Sequence, residues 1–244
     1  GRALTWPVVA GSLLLTNLST EQLVGLNGDV FGDKALVGLA WEALAAFAMI
    51  ATALVFLPRY LASGFTTTPA FLEKRFDKTT RSMVSGLFLF GYVTVLLPVV
   101  LYTGSLALER MFNLNIPLWF IILLIGSLGS AYAIFGGLKS VAVSDTINGA
   151  GLLIGGLAIP FLGLSALGDG SFFNGLSTLL NDKPEYLTVL ARTNLEGKTV
   201  SVPWPTLFTG MMFIQVFYWS TNQVIVQRAM AAKSLAEGQK GVLF

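Results

Sequence analysis

The sequence TWPVVAGSLLLTNLSTEQLVGLNG, residues 5–28, begins as an apolar helix and becomes polar before it is long enough to cross a bilayer. From Thr16 to Gln22 only Leu18 is apolar, and the stretch includes the carboxylate of Glu21. Polar groups are costly in hydrocarbon unless they face protein or a water-filled cavity. The pattern therefore predicts a membrane helix that unwinds here, and unwinding frees backbone carbonyls that can bind a cation.

A second segment repeats this arrangement near the other end of the chain. The apolar run 207–217 is followed by YWSTNQ at 218–223 and then by the apolar VIVQRAM. The short match between STEQLV at 19–24 and STNQVI at 220–225 is compatible with an internal repeat. One such cluster could simply hydrogen-bond a neighbouring helix. Two clusters in corresponding places favour a transporter's central site.

Composition indicates a membrane protein. Hydrophobic residues make up 54% of the 244 residues and charged residues 11%, against about 25% charged in a soluble domain. The chain has no Cys and no His, which excludes disulfides, thiolate nucleophiles, Cys/His zinc sites and a Ser-His-Asp triad. A net charge of +2 and the lack of a basic stripe argue against nucleic-acid binding.

About six transmembrane helices are predicted in an all-α integral membrane protein, because a span needs about 20 apolar residues. A cytoplasmic connector at 58–82 is predicted to contain a short interfacial helix, with Thr68-Pro69 as its N-cap and first position. Its apolar stripe would be Phe71, Leu72 and Phe76. Residues 168–203 are predicted to form an extracellular or periplasmic loop. The spans are 5–27, 35–57, 83–108, 116–135, 141–167 and 204–232.

The distribution of basic residues predicts the orientation, because Lys and Arg concentrate in cytoplasmic loops. With six spans, one side receives ten basic residues and the other receives five. The richer side includes the beginning of the chain, so the N-terminus is predicted to be cytoplasmic in a multi-pass cell-membrane protein. The ten are Arg2, Arg59, Lys74, Arg75, Lys78, Arg81, Lys139, Arg228, Lys233 and Lys240, and the five are Lys34, Arg110, Lys183, Arg192 and Lys198.

Four blocks together resemble the solute:sodium symporter family, and most closely its sodium/glucose cotransporter branch. They are GRALTWPVVAGSLLLTNLSTEQLVGLNG, SGFTTTPAFLEKRF, AIFGGLKSVAVSDTINGAGLLIGG and YWSTNQVIVQRAMAAKSLAEGQKG. The resemblance implies the leucine-transporter-like fold, which has two inverted five-helix repeats and unwound central helices. On that map residues 1–244 form one transporter domain with the first repeat and the opening helix of the second, so the chain is expected to be part of a longer transporter.

The resemblance also implies positions for sodium, the co-transported ion. The family's sodium site takes backbone carbonyls from the unwound first span, and those positions match Leu15 and Leu18. Because carbonyls would be the ligands, the apolar side chains do not argue against the site. Asp145 matches a family Asp associated with sodium exit, whereas its position near the start of span five is equally compatible with an interfacial N-cap.

For the solute, Asn17 and Gln22 match positions whose amides contact sugar hydroxyls in the glucose branch. An amide both donates and accepts, which suits a neutral polyol. Gln215 falls where that branch has another polar side chain. Tyr218 falls on its aromatic gate, with Trp219 next to it, although Tyr and Trp in membrane helices also serve as packing or interface anchors.

Two departures from the branch leave the solute open. The branch has a Glu before the Trp of the second span, whereas here Glu42 follows Trp41, which rotates the group by about 100° on a helix. Glu42 would therefore reach the cavity by another route or face a neighbouring helix. Leu96 occupies a position where some sugar transporters of the branch have Asn.

The resulting hypothesis is sodium-coupled symport of a monosaccharide or polyol by alternating access, with no enzymatic activity. An anionic solute would require a buried Arg or Lys, and none is expected inside a span. The alternatives are a sodium symporter for a non-sugar solute, a membrane-embedded enzyme using Glu21, Glu42 or Asp145, and a passive channel. The sequence determines neither the sodium stoichiometry nor the oligomeric state.

Overall fold

The computed structural model describes residues 2–20, 22–65 and 67–244, and within them the regular secondary structure is helical apart from two isolated β-bridges. The helices are α1 Trp6–Asn17, α2 Asn27–Asp33, α3 Val37–Ala51, α4 Leu57–Ser63, α5 Thr68–Arg75, α6 Lys78–Gly91, α7 Leu97–Phe112, α8 Leu118–Leu167, α9 Phe172–Asp182, α10 Trp204–Thr206, α11 Met212–Thr221, α12 Gln223–Met230 and α13 Leu235–Leu243. Wide π-helical turns precede α2 and α11 and join α3 to α4 and α6 to α7.

Three continuous helices in the described part of the chain are long and apolar enough to cross a membrane: Val37–Ser63, Lys78–Phe112 and Leu118–Leu167. The last is bent at Gly137, whose φ of 62° and ψ of −176° lie outside the helical region and are accessible to glycine. The bend falls in the predicted gap between spans four and five. The total of six spans stays a prediction.

Both predicted interruptions are present. After α1 the chain leaves the helical conformation at Leu18 (φ −82°, ψ 92°) and becomes helical again at Thr20. We call residues 18–20 the first break. Between α11 and α12 a single residue, Asn222, is extended (φ −65°, ψ 124°). We call Asn222 the second break. Glu21, which the sequence places in the first cluster, lies outside the described residues.

Helix α1 is central, because α8, α12 and α13 all pack against it. Gly11 permits the approach to α8, since a Cβ there would lie 2.9 Å from the Cα of Thr146. Gly241 does the same on α13, where a Cβ would lie 2.5 Å from the Cβ of Val9. The α11 helix instead packs on α3. These contacts bring the two breaks onto neighbouring helices.

In the connector, the predicted start of the short helix is wrong by one residue. The N-cap of α5 is Thr67, which is extended and accepts from the N–H of Ala70 at 3.3 Å. The Thr68 hydroxyl donates to Gln223 instead. Phe71 packs its ring against Tyr60 with centroids 5.3 Å apart. It therefore faces the protein core rather than forming the predicted interfacial stripe.

The predicted outer loop, residues 168–203, has structure of its own. It contains α9 and a short hairpin in which Thr193 pairs with Thr199. Asp33 at the end of α2 accepts hydrogen bonds from the N–H and hydroxyl of Ser201 at 2.8 and 2.6 Å. This segment is thereby fixed to the turn between α2 and α3, directly before α11.

Candidate binding site between the two broken helices

The first break is held by Gln22, just after it, and by Thr20, whose hydroxyl bonds to the Val100 carbonyl and the Thr103 hydroxyl of α7 at 3.1 and 3.0 Å. The N–H of Ser19 donates to Gln22 Oε1 at 3.0 Å, and the N–H of Gln22 donates to the Ser19 carbonyl at 3.1 Å. Ser19 and Gln22 have the spacing of a capping box, a signal that was readable in the sequence and was missed. Among the described residues no hydrogen bond reaches the carbonyl oxygen of Leu15 or of Leu18. These two carbonyls are available to a ligand.

Two of the sequence-predicted solute residues contact each other beside this break. Gln22 Nε2 donates to Glu42 Oε1 at 3.0 Å. Glu42, on α3, thus faces the first break, which answers the question raised by its position after Trp41. Gln215 on α11 donates to the Trp41 carbonyl at 3.1 Å and is only 3% exposed. The first break, α3 and α11 therefore meet in one polar cluster of amides, a carboxylate and a carbonyl.

The other predicted solute residues have different surroundings. Asn17 is half-buried, and its amide makes no hydrogen bond to the described residues. Tyr218 lines a cavity, whereas Trp219 is 3% exposed and belongs to the hydrophobic core, with its Nε1 lacking an acceptor among the described residues. The two rings meet edge to face with centroids 5.8 Å apart. Trp219 therefore supports the Tyr218 ring from behind.

An apolar cavity of about 540 Å³ lies between the second long helix, Lys78–Phe112, and the second break. This volume is within the range of small-molecule sites. Leu96, which occupies a position where some sugar transporters of the branch have Asn, is in the wall of this cavity. Its lining includes Phe88, Tyr92, Leu96, Phe217, Tyr218 and Asn222.

A buried ionic cluster links α1, α8 and α12. The Ser12 hydroxyl donates to Asp145 Oδ2 at 2.8 Å, and Arg228 Nε donates to the Ser12 hydroxyl at 2.9 Å. A guanidinium nitrogen of Arg228 lies 3.5 Å from Asp145 Oδ2. Asp145 and Arg228 are 7% and 8% exposed, and Ser12 is fully buried. Of these three residues, only Asp145 was predicted from the sequence to have a functional role.

Two expectations are corrected by this cluster. Asp145 is not an N-cap, because it lies two turns inside the helix that follows Gly137 and pairs with another element. The expectation that no span interior holds a buried cation is wrong, because Arg228 is buried near the end of α12. Its position at the end of an apolar run resembled a cytoplasmic loop residue. Asp145 balances its charge, so the pair offers no free cation to an anionic solute.

Two interrupted helices packed around polar groups in a bundle of apolar helices define the class of secondary transporters built from broken helices. The sodium:solute symporter family model matches residues 1–244, and the chain belongs to this family. The protein named "Uncharacterized symporter YidK" of Escherichia coli (strain K12) is 47% identical over the whole chain, which covers 43% of that relative.

The "Sodium/glucose cotransporter" of Vibrio parahaemolyticus is 34% identical over the whole chain, which covers 45% of it. The human "Sodium/myo-inositol cotransporter" is 30% identical, with 36% of its length covered. A solved substrate-bound, outward-open Na⁺-coupled sialic acid symporter superposes with a TM-score of 0.80 at 21% identity, over the whole chain and 49% of that structure. The predicted leucine-transporter-like fold is thereby confirmed. The chain spans less than half the length of these relatives.

Proposed function

We propose that the chain carries the central site of a sodium-coupled symporter for a monosaccharide or polyol. The observation that carries this proposal is the first break, where two carbonyls without a hydrogen bond from the described residues lie beside a cluster of amides and a carboxylate. Family membership supports a transporter rather than an enzyme. A channel is disfavoured because the polar groups gather at the breaks instead of lining a path through the bundle.

Sodium is proposed to bind the backbone carbonyls of Leu15 and Leu18. A carbonyl oxygen that has lost its helical N–H partner can replace part of the hydration shell of a cation. The absence of hydrogen bonds to these two oxygens among the described residues supports this assignment. Further ligands would have to come from segments that pack beside the first break.

Asp145 is proposed to receive sodium on its way to the cytoplasm. The carboxylate now faces Arg228 across 3.5 Å, and the Ser12 hydroxyl bridges the two groups. A second cation at Asp145 is favourable only if the guanidinium moves away, because two positive charges at one carboxylate repel. We therefore infer that sodium and Arg228 alternate at Asp145.

The solute is proposed to bind between the first break and α11, with Gln22 and Asn17 supplying amides and Tyr218 covering the ring. The Gln22–Glu42 pair supports a polyol, because a carboxylate beside an amide accepts hydroxyl hydrogens and repels an anion. The relatives named for glucose and myo-inositol point to the same chemistry. Glu42 and Gln215 would orient these groups, and Trp219 would support the gate.

The proposed setting is the cell membrane, with the beginning of the chain and the 58–82 connector in the cytoplasm and 168–203 outside. The excess of Lys and Arg on the connector side supports this orientation. A tag placed in α5 is expected to react only after the membrane is permeabilised. Reaction of that tag in intact cells would contradict the orientation.

Uptake into proteoliposomes tests the function. The protein, expressed at its full genomic length, would be offered radiolabelled glucose, myo-inositol and sialic acid with an inward sodium or choline gradient. Accumulation of a neutral sugar or polyol with sodium alone is expected. Sodium-driven uptake of sialic acid alone would replace the polyol by an anionic solute, and uptake that ignores sodium would eliminate symport.

A matched pair of variants locates the site. Gln22→Ala removes both hydrogen bonds of the Gln22 side chain and is expected to raise the solute KM at least tenfold. Asn27→Ala removes an exposed amide that bonds only to the carbonyl of Leu23 one turn earlier. It is expected to transport normally. Equal behaviour of the two variants would move the solute away from Gln22.

A further inference from the structure

The second break is held from the side by one amide. Asn222 Oδ1 accepts from the Tyr92 hydroxyl at 2.8 Å and from the N–H of Val224 at 3.0 Å. Because a backbone N–H can only donate, the Val224 bond fixes the oxygen of the amide on this side. The same atom therefore caps α12 and accepts the hydrogen bond of Tyr92 from the second long helix, Lys78–Phe112.

Tyr92 lies where that helix is itself irregular. It opens the wide turn Tyr92–Leu96 between α6 and α7. Its ring stacks on Phe88 at 5.9 Å with the planes 4° apart, and Phe88 in turn lies 6.4 Å from Phe217. The Tyr92–Asn222 hydrogen bond is thus a polar contact in an otherwise apolar wall of the 540 Å³ cavity.

The residues on either side of Asn222 are fixed to other elements. Ser220 pairs its hydroxyl with that of Thr52 at 2.9 Å, and its carbonyl accepts from the Tyr60 hydroxyl at 2.9 Å. Gln223 Oε1 accepts from the N–H and the hydroxyl of Thr68. Ser220 is tied to the α3–α4 helix and Gln223 to α5, so Tyr92 adds the tie to the α6–α7 helix.

We propose that the Tyr92–Asn222 hydrogen bond is a latch that holds the second long helix, Lys78–Phe112, against the second break and opens when the cavity beside Tyr218 opens to water. Tyr92 is then a positioning residue, since it acts on the solute path through Asn222. This inference deepens the proposed symport and rests on it for its physiological meaning. The latch itself is a property of the fold that can be measured without transport.

Thiol accessibility reads the latch directly. The 244 residues contain no Cys, so Leu96→Cys places the only thiol of the chain in the cavity wall. Tyr92→Phe keeps the stacked ring and removes the hydroxyl. It is expected to speed labelling of that thiol by a water-soluble maleimide about fivefold, the factor corresponding to one net hydrogen bond of about 1 kcal/mol.

Three further variants separate the latch from general loosening. Asn222→Asp keeps both acceptor bonds and the helix cap, so labelling is expected at the unsubstituted rate. Asn222→Ala in combination with Tyr92→Phe is expected to label no faster than Asn222→Ala alone, because both variants remove the same Tyr92–Asn222 bond. Tyr102→Phe changes an exposed tyrosine of α7 that makes no side-chain hydrogen bond in the described structure and should have no effect.

The outcomes separate the latch from the function. Additive effects of Tyr92→Phe and Asn222→Ala, or an Asn222→Asp variant that labels as fast as Asn222→Ala, would overturn the latch. So would an unchanged labelling rate in Tyr92→Phe. In transport, Tyr92→Phe is expected to change the solute KM more than about threefold with sodium dependence retained. Faster labelling in a protein without sodium-driven uptake would support the latch while contradicting the symport.

Discussion

The two breaks differ in length and in the helices that hold them. The first break extends over several residues, with Gln22 bonding to Ser19 and Thr20 bonding to α7, while the carbonyls of Leu15 and Leu18 have no partner among the described residues. The second break is one extended residue, Asn222, and hydrogen bonds from three other helices hold it and its neighbours. The ties of the second break reach three other helices, whereas those of the first break and of Gln22 reach two, α7 and α3.

This difference assigns different tasks to the two breaks. A segment whose carbonyls have no hydrogen-bond partner among the described residues is suited to a ligand, because binding completes its hydrogen-bonding groups. A segment with a single non-helical residue that is anchored on several sides is suited to a hinge, because small rotations at Asn222 redirect α11 relative to α12. The two helices therefore need not share a role merely because their sequences are similar.

The largest expected effect comes from the buried ionic cluster of Ser12, Asp145 and Arg228, which joins α1, α8 and α12. Arg228→Met leaves Asp145 buried without its cation, and breaking such a pair costs about 3–5 kcal/mol. A large fall in thermal stability in detergent is expected. If the comparison of the two breaks is correct, α1 and α12 loosen together, because Ser12 also loses its Arg228 partner.

The control is an ion pair outside the bundle. Arg81 contacts Glu73 at 2.6 Å, but both side chains are well exposed, so Arg81→Met should cost at most about 1 kcal/mol. Adding Asp145→Asn to Arg228→Met should recover part of the loss. Equal stability of Arg228→Met and Arg81→Met would show that the buried cluster does not hold α1 and α12 together.

The next effect concerns the first break alone. Gln22→Leu removes the acceptor of the Ser19 N–H and the donor to Glu42, which should cost about 1–3 kcal/mol. Because the side chain of Gln22 bonds only to Ser19 and Glu42 in the described structure, its loss should raise hydrogen exchange at 18–20 and 22–26 and leave 218–230 unchanged. Increased exchange at both breaks would contradict the distinction between them.

The third effect concerns the second break. Gln223→Leu leaves the N–H and hydroxyl of Thr68 without their acceptor and should cost about 1–2 kcal/mol. Here the support is long-range, so the expected result is faster trypsin cleavage at Lys74 and Arg75 in α5. Gln223→Glu retains the acceptor and serves as the matched control. If α5 is cleaved equally fast in both variants, Gln223 does not hold the connector.

The sequence predicted the positions at which the helices are interrupted better than it predicted the contacts that hold those positions. Runs such as TNLSTEQ and YWSTNQ are too polar for hydrocarbon, so their positions followed from composition alone. The capping-box spacing of Ser19 and Gln22 was also readable, as was that of Ser234 and Glu237 at the start of α13, and each pair forms one of the two hydrogen bonds of that motif. Both depend only on spacing within one element.

Contacts between distant elements could not be read in this way. Ser12 is an ordinary small residue of an apolar run, and its role depends on Asp145 and Arg228, which lie 133 and 216 residues away. The sequence does not distinguish Tyr92 from other membrane tyrosines, and only the fold shows that its hydroxyl donates to Asn222. For the same reason Arg228 resembled a loop residue, because its position at the end of a span does not show that the buried Asp145 pairs with it.

The smallest expected effect is a pH response at an ordinary helix end, which provides a baseline for both breaks. Asp77 caps α6 by accepting from the N–H of Thr80 at 2.6 Å, and this backbone hydrogen bond holds the pKa of the carboxyl below its usual value. A lowered pKa means that the folded state favours the ionised form. Its stabilisation is complete above the usual carboxyl pKa and is lost as the pH falls through the lowered one.

Hydrogen exchange in the first turn of α6, corrected for its intrinsic pH dependence, should therefore increase below about pH 4. Asp77→Asn caps without titrating and should remove this response. The second break should not respond in the same range, because amides and hydroxyls that do not titrate there hold Asn222 and Gln223. A pH response at Asn222 equal to that of α6 would mean that an ionisable group controls the hinge, and the contrast between the two breaks would then have to be redrawn around Asp145.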